Sequence, residues 1–348
     1  MSSDESDVMD YTHLDYDMDE LVDRAMSIME GMGIFSGKGN RYIQCSRADF
    51  RIHFRYVTEA IQVGSQSIFS DYVDWNMVFF KGLGMEDIIK PTFEIMLQVM
   101  DEIGMGERAR EIMSPGLSKL GHIQSEVEIT FEDTTLGRIA ESYCEKLLAM
   151  DREGAWSMID ENLQQGVRLI DLYEGVFVPS LRNVGLLWQT GRITVAQEHL
   201  FTTSTQTIMA RLYPRVFASS SEKGRVLAAC VSGELHEMGI RMIADILELE
   251  GYDTSYLGAN TPSDAILDML KETGAKTILL SATMTYHIER LRRLVDMIKE
   301  DPQTKDVKVL VGGRPFLVDP QLWKKIGADG YTRDIREAVE AVSNTGVN

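Results

Sequence analysis

The sequence predicts an α/β chain with all-α parts ahead of it: a C-terminal doubly wound parallel sheet, preceded by a four-helix bundle and an N-terminal helical domain. Three observations predict it. After Arg225, short apolar runs alternate repeatedly with amphipathic stretches, as strands alternate with crossover helices. Between about residues 21 and 217 apolar residues recur at helical spacing. The run Ala218-Ser219-Ser220-Ser221-Glu222-Lys223-Gly224 reads as a linker between the helical and the sheet part.

Residues 1–23 hold nine Asp or Glu and no Lys or Arg, so they are expected to form an acidic, solvated, disordered tail. A helical domain is expected over 24–120. It begins with a helix near 21–31 and a Gly-rich loop over 31–39, which lacks the preceding strand and the Lys-Ser/Thr spacing of a phosphate loop. Ser46 with Asp49 suggests a capped helix start, and Phe50, Phe54, Val57 and Ile61 then share one face. Phe69, Tyr72, Val73 and Phe80, with Trp75 nearby, mark another helix, and 86–103 a further one that tolerates Pro91 in its first turns. Ser114-Pro115-Gly116 reads as a break.

The bundle is expected over 130–217, with Asp151 and Thr194 as N-caps and Thr194-x-x-Gln197 as a capping box. In the C-terminal domain, 224–348, strands are expected near 225–231, 253–257, 276–282, 307–311 and 329–331. Helices are expected near 238–250, 262–273, 285–300, 318–326 and 334–343.

Composition narrows the function classes. A formal charge of −19 opposes direct binding of nucleic acid, which relies on clustered Lys and Arg. Cys45, Cys144 and Cys230 are widely spaced and suggest no zinc site and no disulfide framework. With neither a signal peptide nor a long apolar run, the chain is expected to be cytoplasmic and without a membrane partner.

The most informative stretch is Gly233-Glu234-Leu235-His236-Glu237-Met238-Gly239, between an apolar strand and an amphipathic helix. Ligands of open parallel sheets bind at such strand ends. Ser281-Ala282-Thr283 follows the third strand and Gly312-Gly313 the fourth, so small residues stand at successive strand ends. Together these motifs resemble the cobalamin-binding Rossmann-like domain over about 125 residues from Arg225, including Tyr256 to Pro262. The resemblance implies that His236 ligates cobalt. Glu234 would orient its other ring nitrogen, in a place where Asp is the common family form. Gly239 would open the helix close to the corrin, and Ser281, Thr283, Gly312 and Gly313 would line a slot for the nucleotide tail.

Upstream, Trp188 is followed ten residues later by Glu198-His199, with Val195 three before the Glu. This resembles the adenosyl-capping motif of the cobalamin photoreceptors and implies that Trp188, Val195 and Glu198, with His199 beside them, cover an adenosylcobalamin. The chain departs from that family at Gln189, where those receptors carry His, and in lacking a DNA-binding helix-turn-helix. The segment from Phe50 to Met100 looks like the N-terminal domain of the photocobilins, which implies a globin-like domain holding biliverdin near His53, Tyr56, Tyr72 and Trp75, with Cys45 as a candidate thioether. A packed aromatic core accounts for those residues equally well.

The leading expectation is a light-sensing signalling protein, not itself an enzyme and without catalytic residues. It would act as a homo-oligomer, dimer or tetramer, with a downstream signalling partner. The alternative is a corrinoid methyl-carrier protein of a methyltransferase system. The small subunit of an adenosyl-radical mutase is a third reading, which needs a catalytic barrel supplied elsewhere.

Overall fold

The computed structural model describes residues 17–120, 127–216 and 222–344. Most of the expected acidic tail and most of the expected linker lie outside these residues. The chain divides into two compact units, one of residues 1–73 and 87–120, the other of 74–86 and 121–348.

The first unit opens with α1 (Met18–Gly31), whose N-cap Asp17 accepts from the Asp19 and Glu20 backbone N–H groups. Helix therefore begins inside the stretch expected to be tail, because the same acidic residues that solvate a chain also favour a helix N-terminus. Next come α2 (Asn40–Gln62) and α3 (Gln66–Gly82). A 3₁₀ turn, Glu86–Ile88, leads into α4 (Ile89–Glu102), and α5 (Gly106–Leu117) follows. Ser46 does not start a helix. It lies within α2, its hydroxyl returned to the Tyr42 carbonyl at 3.1 Å. Nor does Pro115 stop α5, which carries it in its last turn, and Gly116 lets α5 approach α3 closely: a Cβ there would stand 3.0 Å from Val73. Phe54, Phe69, Phe93 and Met96 fill the core of this unit.

In the second unit α6 (Thr135–Leu148) and α7 (Arg152–Gln164) start on side-chain caps, Thr134 and Asp151. A short α8 (Leu169–Leu172) runs through a π-helical turn, Tyr173–Phe177, into α9 (Val178–Gln189). Then α10 (Val195–Val216) begins on the expected box, in which Thr194 and Gln197 each bond the other's backbone N–H. The expected four helices are thus five, since the π turn divides one of them.

The sheet carries β1 (Arg225–Cys230), β2 (Asp253–Tyr256), β3 (Thr277–Ser281), β4 (Lys308–Gly312) and β5 (Gly330–Thr332). All strands are parallel, in the order β2-β1-β3-β4-β5. Between them run α11 (Met238–Leu249), α12 (Ser263–Thr273) and α13 (Ile288–Glu300), then α14 (Arg314–Val318) and α15 (Leu322–Lys325), with α16 (Ile335–Ser343) last. Of the helix expected near 318–326 only α15 forms, and α14 just ahead of it was not expected. One hydrophobic core joins the bundle to the sheet layer: Tyr173, Phe177 and Phe201 of the bundle pack in the same cluster as Met242, Ile246 and Ile335. Bundle and sheet thus form one body. Among the described residues no helix is long and apolar enough to cross a membrane.

Candidate functional site

In a sheet of this order the chain leaves β1 and β3 in opposite directions, and the gap between their carboxyl ends is where ligands bind. The loop after β1 carries His236 into this gap. Its shape is held from two sides: Gly233 N–H donates to Asn260 Oδ1 at 2.7 Å, and Asn260 N–H donates to the Glu234 carbonyl at 2.8 Å. Gly233 itself sits at φ +87°, a conformation that suits glycine.

Glu234 is completely buried. It accepts from His236 Nδ1 at 2.6 Å and the His236 backbone N–H at 2.9 Å through one oxygen. The other oxygen accepts from the Thr283 and Met284 backbone N–H groups at 2.7 and 2.9 Å, and from His287 Nδ1 at 3.1 Å. Burial alone would raise its pKa, but hydrogen bonds from His236 and His287 and from the Met284 and His236 backbone outweigh burial and hold the group well below the usual carboxylate range. The hydrogen bond to Glu234 in turn raises the pKa of His236 above its ordinary value, against the effect of burial. With Nδ1 spent on Glu234, Nε2 is the nitrogen left to ligate. The ring is 59% exposed and borders a cavity of about 950 Å³.

That cavity is lined from below by His236, Gly239, Ser281, Thr283, Gly312 and Gly313, six residues the sequence singles out. A Cβ on Gly239 would meet no atom within 4 Å, so the α11 N-terminus leaves open space toward the cavity. Gly313 stands at φ +112°, and a Cβ there would lie 2.1 Å from the Ala282 carbonyl oxygen, so only glycine fits. Apolar Ile240, Leu279 and Leu310 continue the wall downward beside the sheet.

From the bundle, Glu198, His199, Thr202 and Gln206 of α10 reach the same cavity. Glu198 bonds the His199 ring and the Thr202 hydroxyl. Trp188 and Val195, expected beside them, do not line it. Trp188 instead packs against Trp75 and Phe79 of α3, with ring centroids 6.2 and 5.8 Å away, and Val195 opens α10 with its side chain half in solvent. Gln189 is buried, donates to the Trp75 carbonyl at 2.9 Å and does not line the cavity.

Of the four residues expected around a bilin, His53, Tyr56 and Tyr72 pack on one another. His53 is buried and shares a 2.6 Å hydrogen bond with the Tyr72 hydroxyl, and Tyr56 stacks on Tyr72 at 3.6 Å, all inside the first unit. Trp75 belongs to the second unit, where it stacks on Phe79. Cys45 is a free, exposed thiol. Burial drives the His53 pKa down to about 4, so the ring is neutral and serves as core.

Sequence reasoning did not anticipate the bonds that join the bundle to the site. Glu237 accepts from Gln206 Nε2 at 2.9 Å and from the Tyr256 hydroxyl at 2.8 Å, tying α10 to the ends of β1 and β2. Only the position of Glu237 inside the His motif pointed to it. Nothing in the local pattern marked Gln206, whose partner is 31 residues away.

The donor set fits a corrinoid. Among the described residues no group of three or more His, Cys, Asp or Glu gathers to hold a bare metal ion. A lone oriented imidazole beside a large cavity suits a metal that arrives within its own equatorial ring.

Comparison with known proteins agrees. Two family models, each described as a B12 binding domain, match residues 224–341 and 139–213. Dimethylamine corrinoid protein 1 of Methanosarcina mazei is 24% identical over 209 residues, 59% of this chain and 95% of the relative. Dimethylamine corrinoid protein 3 of the same organism is 32% identical over 123 residues, 35% of this chain and 72% of the relative. Among solved structures, the monomethylamine corrinoid protein of Methanosarcina barkeri shares the fold with a TM-score of 0.54 at 22% identity, over 60% of this chain and 99% of that one.

Proposed function

Because the chain belongs to the family of corrinoid proteins built on the B12 binding domain, we propose that it is a corrinoid-carrying subunit that relays one-carbon groups in a methyltransferase system. Its cofactor is a corrinoid. When bound, such a cofactor supplies a cobalt centre able to accept and release an alkyl group. The single observation that carries the proposal is the His236 ring, fixed at Nδ1 by a buried carboxylate and open at Nε2 toward a cavity wide enough for a macrocycle.

The protein's own residues bind, orient and shield. His236 would hold the metal, Glu234 sets the tautomer of its ring, and the small residues at the ends of β3 and β4 would leave room for a nucleotide tail. The α10 side chains Glu198, Thr202 and Gln206 wall off the other side and limit water. The names of the reported relatives favour methylated amines as the source of the group. In the test, reduced, cobalamin-loaded protein is mixed with a dimethylamine methyltransferase and dimethylamine. Consumption of one amine per cofactor is expected, and loss of that consumption with His236→Ala. No consumption with mono-, di- or trimethylamine and their methyltransferases would reject the carrier role.

A second reading, light sensing through adenosylcobalamin, is favoured by one observation: Glu198 and His199 of the photoreceptor-like motif reach the cavity. Green light on adenosylcobalamin-loaded protein should then change its spectrum and its elution volume. An unchanged cofactor leaves the carrier alone.

A further inference from the structure

Only one oxygen of Glu234 is spent on His236; the second is held by the loop after β3, and by one side chain of that loop, His287. A carboxylate can only accept, so both imidazoles present an Nδ1–H to it. The His287 ring is 4% exposed and meets Tyr286 edge-on with centroids 4.6 Å apart. Its Nε2 lies against Gly233, where a Cβ would stand 3.0 Å away, so the ring is packed against the turn that opens the His236 loop. One buried carboxylate thus couples two rings that come from the two loops flanking the switch point.

We propose that His287 is a positioning residue for His236: by holding the outer oxygen of Glu234 it fixes the plane of the carboxylate, and with it the rotation of the His236 ring that aims Nε2 into the cavity. The proposal rests on reading His236 as the cobalt ligand. Backbone N–H groups of His236, Thr283 and Met284 also hold the carboxylate, and His287 adds a side-chain donor on its outer oxygen, with its own placement locked by burial.

The test is electron resonance of protein loaded with cobalamin and reduced to cobalt(II), made with ¹⁵N-histidine so that ligation by the protein turns the nitrogen triplet into a doublet. The cobalt(II)/(I) midpoint potential gives a second readout. His287→Leu is expected to lower the ratio of histidine-ligated to unligated cobalt about tenfold. His287→Asn, whose amide N–H can donate from nearly the same place as Nδ1–H, should restore most of it. Where the Leu variant does not fold, His287→Ser, too short to reach Glu234, gives the same contrast with Asn. A wild-type ratio in the Leu or Ser variant, or an equal loss with Asn, overturns the proposal. A doublet surviving in His236→Ala overturns instead the ligand assignment beneath it.

Discussion

The Tyr173 hydroxyl, in the π turn of the bundle, donates to the Asp245 carboxylate on α11 at 2.8 Å, deep in the core that bundle and sheet share. Burial pushes the Asp245 pKa up to about 6, with the Tyr173 hydrogen bond and Arg241 acting the other way. The unfolded chain titrates this group near 3.8. Between about pH 4 and 6 folding therefore takes up a proton, and the contribution to stability falls as pH rises through that window. Asp245→Asn keeps an acceptor for Tyr173 and removes the buried charge. Urea unfolding should show it more stable than the parent by up to about 3 kcal/mol at pH 8 and equal to it near pH 3.5.

His53 works in the opposite sense. Burial lowers its pKa to about 4 from an ordinary 6.5, so the unfolded chain holds more protons in between and stability is lost as pH falls through that range. Amide protection factors over α2, taken relative to the intrinsic exchange rate at each pH, should fall between pH 6.5 and 4.5 in the parent. In His53→Phe that fall should be absent.

Glu234 satisfies two rings and three backbone N–H groups while fully buried, so its removal leaves several donors without an acceptor. Glu234→Gln turns one acceptor into a donor facing other donors. A loss of about 3 kcal/mol in the cofactor-free protein is expected, measured by chemical unfolding. A loss under about 0.5 kcal/mol would contradict this network.

Gly312 and Gly313 adjoin each other yet predict different outcomes. A Cβ on Gly312 meets its nearest atom, the Thr332 carbonyl oxygen, at an ordinary 3.5 Å, so Gly312→Ala should fold normally and weaken corrinoid binding by narrowing the cavity. Gly313→Ala collides with Ala282 and adopts a strained φ, so a loss on the order of 2 kcal/mol should appear without any cofactor. Thermal unfolding together with cobalamin titration separates the two.

Arg336 bridges Glu174 and Asp171 across the same bundle–sheet seam, but its side chain is 43% exposed. Solvent screens such a bridge. Arg336→Met should cost less than about 1 kcal/mol at low salt and almost nothing in 1 M NaCl, measured by urea midpoints.

What the sequence made legible follows from how local each signal is. Strands β1, β3 and β4 are buried runs whose apolar character needs no partner to be read, and the Glu234–His236 pair lies two residues apart in one loop. The capping box at Thr194 is equally local. His287 was not legible because its partner is 53 residues away, and a His at the start of an amphipathic helix says nothing about which carboxylate it will meet. Trp188 was legible as an aromatic near the bundle end but not in its direction. Whether the indole covers the cavity or α3 depends on Trp75 and Phe79, and the neighbouring Gln189 bonds Trp75 across 114 residues. Ser46 and Pro115 carried signals of ends that helix packing overrode.

Helix α3 gives its first half to one compact unit and its second half, from Asp74, to the other. Trimming this protein to the span it shares with the B12 binding domain models would therefore not be a clean excision. Such a fragment would keep Trp188 and Gln189 but lose the two rings and the carbonyl that now shelter them, exposing a sticky indole and an orphaned amide at the tip of α9. A soluble short form would have to retain the 74–86 stretch, or replace Trp188 with a polar residue.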